Sequence, residues 1–271
     1  MKKTFLNFLT FLFLTAFILP GQEMSEANEA LNALQIIEKS QEAFYYQADD
    51  MKAKVTMELI DKDGGKRSRI MSMLRRDVSE GGDQKYFIYF HEPADVRDMT
   101  FMVWKYPLKD DDRWIYIPAV DLVRRIAADD KRSSFVGSDF TYEDISGRGA
   151  TSDEHTLVGM EKLGESDCYV VESIPRQVTD HVKRVSYIDV ETFLPLKEEY
   201  YDAQNELFRV FTADSIEMIS SYPTVVRRTM KNVKTGHRTE VTFTSVTYNL
   251  NLKDGDFSER NLRRPPRSWL K

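Results

Sequence analysis

Arg124 and Arg125 stand among Val123, Ile126 and Ala127, just after the apolar stretch Trp114-Ile115-Tyr116-Ile117-Pro118. Two guanidinium groups at the mouth of a cavity can grip a phosphate or a carboxylate through paired hydrogen bonds. The same groups can instead bond to Asp129, Asp130 or Asp139 at the surface. Ser138, Asp139 and His155 supply the residue types of a hydrolase, but Gly137-Ser138-Asp139 lacks the glycine that follows the serine in a nucleophile elbow. The histidines His91, His155, His181 and His237 are scattered singly, whereas metal chemistry needs clustered ligands. Cys168, beside Tyr169 and Val170 in an apolar run, reads as a small buried hydrophobe, because a reactive thiol needs an electropositive setting. No catalytic residue, metal or cofactor is expected.

The elements that must position these residues are mostly strands. Leu31, Leu34, Ile37, Gln41 and Phe44 recur at three- and four-residue spacing, which predicts an amphipathic helix over 28–47, capped by Ser25 or Asn28. From Met51 the period becomes two: Met51, Ala53, Val55, Met57 and Leu59 alternate with Lys52, Lys54, Thr56, Glu58 and Ile60. Asp63-Gly64-Gly65 and Gly81-Gly82 mark turns, and strands follow at 66–76, 84–90, 99–106 and 113–117. After an irregular 118–150 segment, strands resume at 155–163, 168–174, 183–190, 196–201, 207–219, 225–232 and 239–249. This spacing, with short turns and no βαβ alternation, predicts one antiparallel meander large enough to curl. The concave side of a curled sheet needs apolar filling, and the first helix and the 119–150 segment are the candidates. Within that segment, Gly137-Ser138-Asp139-Phe140 reads as a turn into a short helix capped by Ser138 or Asp139 and anchored by Phe140, Tyr142 and Ile145. Asp139, Glu143 and Asp144 are read as capping and salt-bridging groups.

Lys2 and Lys3 precede an apolar run from Phe5 to Leu19 that Pro20-Gly21 ends. The run is shorter than the roughly 20 residues of a membrane span, and Ser25-Glu26-Ala27 offers a cleavage site before Asn28. Residues 1–27 therefore read as an export signal and 28–271 as one domain. No cysteine near that site would take a lipid, and the single thiol of Cys168 cannot form an internal disulfide. Removing the leader takes away two basic and two acidic residues, so the net charge stays at −6. An acidic balance argues against nucleic acid as a partner. The stretch from Arg260 to Lys271 is locally basic, a solvated tail or a contact for anionic headgroups.

The order of these features resembles the outer-membrane lipoprotein-sorting family, relatives of the periplasmic carriers LolA and LolB. The resemblance rests on Trp114 to Pro118, the Arg124-Arg125 pair and the segment from Ser133 to Asp144. It extends to Phe90-His91-Glu92-Pro93-Ala94-Asp95-Val96-Arg97 with Thr100-Phe101, to Cys168-Tyr169-Val170-Val171-Glu172 with Pro175, and to Tyr187-Ile188-Asp189, Tyr201-Asp202 and Asp256-Phe257-Ser258. It covers most of the chain from Met51 onward. Asp98 departs from it, standing where the family more often has glycine.

The resemblance implies a mainly β (α+β) fold, a strongly curved antiparallel sheet forming an unclosed β-barrel with an N-terminal helix and a helical lid. It also implies a periplasmic, non-enzymatic carrier of lipoprotein acyl chains or other lipids, a monomer, with an inner-membrane RND-type transporter as a plausible partner. A docking module for such a transporter, carrying no lipid, is the alternative. If a cavity exists, Val55, Met57, Met71, Met73, Phe87, Tyr89, Phe101, Val103, Ile115 and Ile117 are its expected lining, since thioethers and aromatic rings adapt to irregular apolar guests. The same residues would otherwise be core. Arg124, Arg125, Phe135, Phe140 and Tyr142 are expected at the lid and mouth.

Overall fold

A computed structural model describes residues 30–79, 82–177 and 179–269. The leader assigned to residues 1–27 lies outside the described residues. Thirteen strands form one antiparallel sheet. The first half comprises β1 (Asp50–Ile60), β2 (Lys66–Asp77), β3 (Gln84–Glu92), β4 (Thr100–Lys105), β5 (Asp112–Ile117) and β6 (Leu122–Ile126). The second half comprises β7 (Asp153–Leu163), β8 (Ser166–Pro175), β9 (Lys183–Asp189), β10 (Pro195–Tyr201), β11 (Leu207–Ile219), β12 (Tyr222–Asn232) and β13 (Arg238–Tyr248). Each half is a simple meander. The halves join where β1 pairs with β13, Met51 opposite Tyr248, which leaves β6 and β7 as the two edges. Residues 127–152 run between those edges and hold helix α2 (Tyr142–Ser146).

Strand β6 lies inside the segment expected to be irregular. Its five residues are too few for a period-two signal, but they pair along β5 from Arg113–Ile126 to Ile117–Leu122. Helix α1 spans Ala33–Tyr45, shorter than expected, and Asn32 caps it through a reciprocal bond with Gln35. Its buried side is Ala33, Ile36, Ile37 and Ser40, whereas Leu34 turns outward. Ile36 and Ile37 meet Val171 and Ile188 of the second half. Thr141, not Ser138 or Asp139, caps α2, with Asp144 closing the box.

The two faces of the sheet are both covered on its β2–β5 side. Met57, Met71, Met73, Ile88 and Phe101 point to the concave face, beneath α1 and the 127–152 segment. Leu74, Phe87, Met102 and Trp114 point the other way, beneath Phe257, Leu262 and Trp269. Trp104 Nε1 donates to the Phe257 carbonyl at 2.8 Å and Thr100 to that of Leu262 at 2.8 Å. The C-terminal stretch is thus no free tail: Phe257, Leu262 of helix α3 (Glu259–Arg263) and Trp269 cover the convex-face aromatics. Asp98 adopts φ +64, a left-handed conformation that glycine takes without strain and aspartate tolerates, so the turn keeps its shape without the glycine.

Arg75 ties α1 to this frame. Its guanidinium donates to the carbonyls of Tyr45, which the helix end leaves unsatisfied, and of Gln47 and Ala48 just beyond it, and lies 3.6 Å from Asp77. Burial pushes the Asp77 carboxyl up to about 6, against the pull of Arg75 and Gln84. The folded chain therefore holds a proton here between about pH 4 and 6 that the unfolded chain, with an ordinary carboxyl near 3.9, releases. This group lowers stability as pH rises through that window and adds no penalty below it. Asp77→Asn is expected to flatten the urea-melt profile between pH 4 and 6 by roughly 2–3 kcal/mol. An unchanged slope would dismiss this assignment.

Candidate functional site

The concave face and its lid form the candidate site. On the sheet, period-two alternation delivers Val55, Met57, Met71, Met73, Phe101, Val103 and Ile115 to the concave side, where all are buried. Ile117 shares the parity of Ile115 and is half-buried at the strand end. Phe87 and Tyr89 do not belong to this lining. In β3 the concave positions are Tyr86, Ile88 and Phe90, and the odd-numbered aromatics pack beneath the C-terminal cover. Aromatic content alone could not reveal the parity, because both faces of this strand are apolar.

The lid fills the concavity. Phe135, Phe140 and Tyr142 are each buried to 6% exposure or less. Phe135 stands edge-on to Phe101 at 5.2 Å and to Tyr142 at 5.6 Å between ring centres, and Phe90 lies at 6.1 Å. Among the described residues, the concave face under the lid therefore shows only small voids, of about 60, 60 and 30 Å³, in place of the expected roomy hollow. Lid rings occupy space that a bare curved sheet would leave open.

Polar contacts clamp the lid on every side. Arg69 of β2 donates to the Val136 carbonyl, and burial lowers its basicity. Lys105 of β4 donates to the Ser146 and Gly147 carbonyls at the end of α2; burial lowers it to about 8, with Asp111 acting in the opposite sense. Asp139 accepts from His237 at 2.6 Å and Thr239 at 2.8 Å, on β13 and its preceding turn. From α1, Gln41 donates to the Arg148 carbonyl at 2.6 Å. Arg209 of β11 meets Asp144 at 2.9 Å and Asp180 at 3.4 Å, and its guanidinium lies 4.3 Å from the Tyr200 ring centre. Burial alone would depress Arg209, yet Asp144 foremost, then Tyr200 and Asp180, carry it above its ordinary value. The expected roles of Asp139, Glu143 and Asp144 as capping and ion-pairing groups agree with these contacts.

Strand geometry splits the Arg124-Arg125 pair. Both are exposed on edge strand β6, but neighbours on a strand face opposite ways. Arg124 shares the parity of buried Ile126, and its charge offsets part of the burial effect that raises Tyr142. Arg125 turns to Asp112 rather than to Asp129, Asp130 or Asp139. The two cannot grip one phosphate together.

Ser138, Asp139 and His155 do not meet either. Ser138 donates within the lid to Phe135, Asp139 bonds to β13, and His155 lies 2.8 Å from Ser173 and 2.7 Å from the Ala150 carbonyl. Cys168 is fully buried, and burial raises its thiol. Sequence reasoning passed over Arg209 and Arg228. Their signal was parity: each shares a strand face with an apolar core residue, Arg209 with Phe211 and Arg228 with Met230.

The sequence model of a family described as uncharacterized-protein-like matches residues 82–264. No curated protein sequence matches the chain. Three solved structures are similar. A putative outer membrane lipoprotein-sorting protein domain from Vibrio parahaemolyticus is 28% identical with a TM-score of 0.80, covering 86% of this chain and 98% of its own. A DUF1329 family protein from Desulfovibrio piger is 27% identical with a TM-score of 0.77, covering 84% and 95%. A LolA superfamily protein from Nitrosomonas europaea is 19% identical with a TM-score of 0.66, covering 85% and 99%, a likeness of fold alone. The curved, unclosed antiparallel sheet described above matches a LolA-like fold. The chain belongs to the family that the matching model describes, its structural neighbours include DUF1329 and outer membrane lipoprotein-sorting proteins, and its fold is LolA-like.

Proposed function

We propose that the protein is a periplasmic carrier that shelters an acyl chain of a lipoprotein or another lipid on the concave face, beneath a displaced lid. The observation that carries this reading is the composition of that face. Val55, Met57, Met71, Met73 and Phe101 make a continuous apolar lining, and its cover is a connecting segment, not another sheet.

Magnitudes decide whether a guest can enter. Ligand sites usually offer about 300–1,000 Å³, far more than the small voids beneath the lid, so Phe135 and Phe140 must leave for a chain to bind there. Exposing two such rings costs roughly 3–6 kcal/mol. A 16-carbon chain gains on the order of 10 kcal/mol from burial at about 0.8 kcal/mol per methylene. The surplus is modest, which suits a protein that must also release its cargo. No nucleotide-binding sequence motif is present, so release in this reading depends on a membrane partner such as an RND-type transporter.

The filled interior favours one other reading, a docking module that carries no lipid. Native mass spectrometry of protein purified from membranes separates the two. Bound lipid supports the carrier; a stoichiometric protein partner without lipid supports the module. Phe135→Ala is expected to raise binding of an apolar fluorescent probe several-fold, because the missing ring opens the space above Phe101. Probe binding equal to that of the unaltered protein would count against a usable concavity.

A further inference from the structure

Arg228 of β12 borders all three interior voids, at the boundary between two unlike regions. On one side the smallest void is lined by Val55, Met57, Met71, Met73 and Ile88. On the other lies an ionic cluster in which every arginine but this one is matched. Arg148 lies 2.7 Å from Asp153 and 3.4 Å from Glu143, Arg184 lies 3.3 Å from Glu198, and Arg209 holds Asp144 and Asp180. Arg228 has no such partner: among the described residues, no carboxylate or carbonyl takes a hydrogen bond from it, and its Nε is sealed from solvent.

What surrounds the guanidinium is aromatic. Its carbon lies 4.7 Å from the centre of Phe243, 5.3 Å from Phe44 and 5.7 Å from Phe140. Ring faces attract a cation but accept no conventional hydrogen bond. A guanidinium offers five donors and stays charged in proteins; here the Nε is sealed without an acceptor, the residue as a whole is half-buried, and among the described residues no acidic or carbonyl group fills the rest of the fork. The acids nearby are already engaged by other arginines. One of the three rings, Phe140, belongs to the lid, so lid displacement would open the guanidinium directly to an entering molecule.

We propose that Arg228 takes the anionic headgroup oxygens of a single-chain amphiphile, a carboxylate or a phosphate, while the chain lies along Met57, Met71 and Met73. This deepens the carrier reading and rests on it. It adds a charge requirement and an orientation: head towards the β12 side, tail towards β1 and β2.

Binding of dodecanoate, dodecyl phosphate and dodecanol to the lipid-stripped full-length protein tests it, with Arg228→Gln and Arg228→Lys as variants. The unaltered protein is expected to bind both anions about tenfold or more tighter than the alcohol. Preference for one anion over the other names the headgroup. Arg228→Gln is expected to reduce the anions to the level of the alcohol and leave the alcohol within about twofold. Arg228→Lys should retain part of the preference, since it keeps the charge and loses the fork. If the alcohol binds as well as the anions, or Arg228→Gln keeps the preference, the headgroup role is overturned and the carrier stands. If none of the three binds, the carrier reading falls, and the headgroup role with it. Should Arg228→Gln fail to fold, the preference of the unaltered protein and its reduction in Arg228→Lys decide the matter.

Discussion

Phe101→Ala is expected to reduce the unfolding free energy by about 3–5 kcal/mol. Phe101 is fully buried near the start of β4, with the lid rings Phe135, edge-on, and Tyr142, tilted, at 5.2 and 5.3 Å between ring centres. Removing the ring deletes its transfer free energy and leaves a hole that two more aromatics border. The sheet cannot collapse into that hole, because Phe101 is opposite Ile88 and Ile115 in paired strands. The lid can, in part, so the cost should fall at the lower end if 127–152 closes inward. Urea melts give the total, and probe binding shows which response occurs: more binding means that the hole stays open. A loss below 1 kcal/mol would mean that the lid and sheet are not packed as described.

Arg209→Met should be comparably damaging, by about 3–5 kcal/mol, for an electrostatic reason. The guanidinium is almost wholly buried between Asp144 of the lid and Asp180 of the β8–β9 connection. Methionine restores most of the volume but leaves the Asp144 and Asp180 carboxylates without the guanidinium that bridges them. The damage should also be regional. Asp144 closes the capping box of α2, so amides of Tyr142–Ser146 should exchange faster in the variant than those of β1 and β2. Acid sensitivity should change as well. Burial pushes the Asp180 carboxyl up, but His181 and Arg209 together bring it down to about 2. Its contribution to stability is thus present above about pH 4 and lost as pH falls towards 2. Without Arg209 the carboxyl moves back up, and that acid-side loss should shrink. Uniform exchange across the lid and sheet would contradict an anchoring role.

The strands were legible wherever alternation ran long enough, as in Met51 to Leu59. The number and spacing of strands pointed to a curl, and the need to fill its concave side pointed to the first helix and the 119–150 segment; the expectation of a cavity for acyl chains came from the family resemblance alone. Four things escaped. The five residues of β6 sit between a proline turn and an irregular segment, so no period could form. Strand β3 is apolar on both faces, which concealed that Phe87 and Tyr89 belong under the C-terminal helix. The interior arginines escaped because a charged residue on a strand is ordinarily assigned to solvent. Only coordinates show that Arg209 finds two acids and that Arg228 finds none. The helix caps Asn32 and Thr141 were missed for a smaller reason: Asn28, Ser138 and Asp139 were nearby residues of equal capping ability.

The seam between β1 and β13 sets the order in which the molecule can be assembled. Residues nearly two hundred positions apart meet there, Met51 with Tyr248, so the join waits until almost the whole polypeptide has been delivered. Each meander can zip up from its own hairpins long before that. During the interval the outer margin of β1 is unpaired beside a greasy surface, an invitation to pair with another copy. Closing that seam, more than forming any hairpin, is the step at which maturation of this protein competes with aggregation.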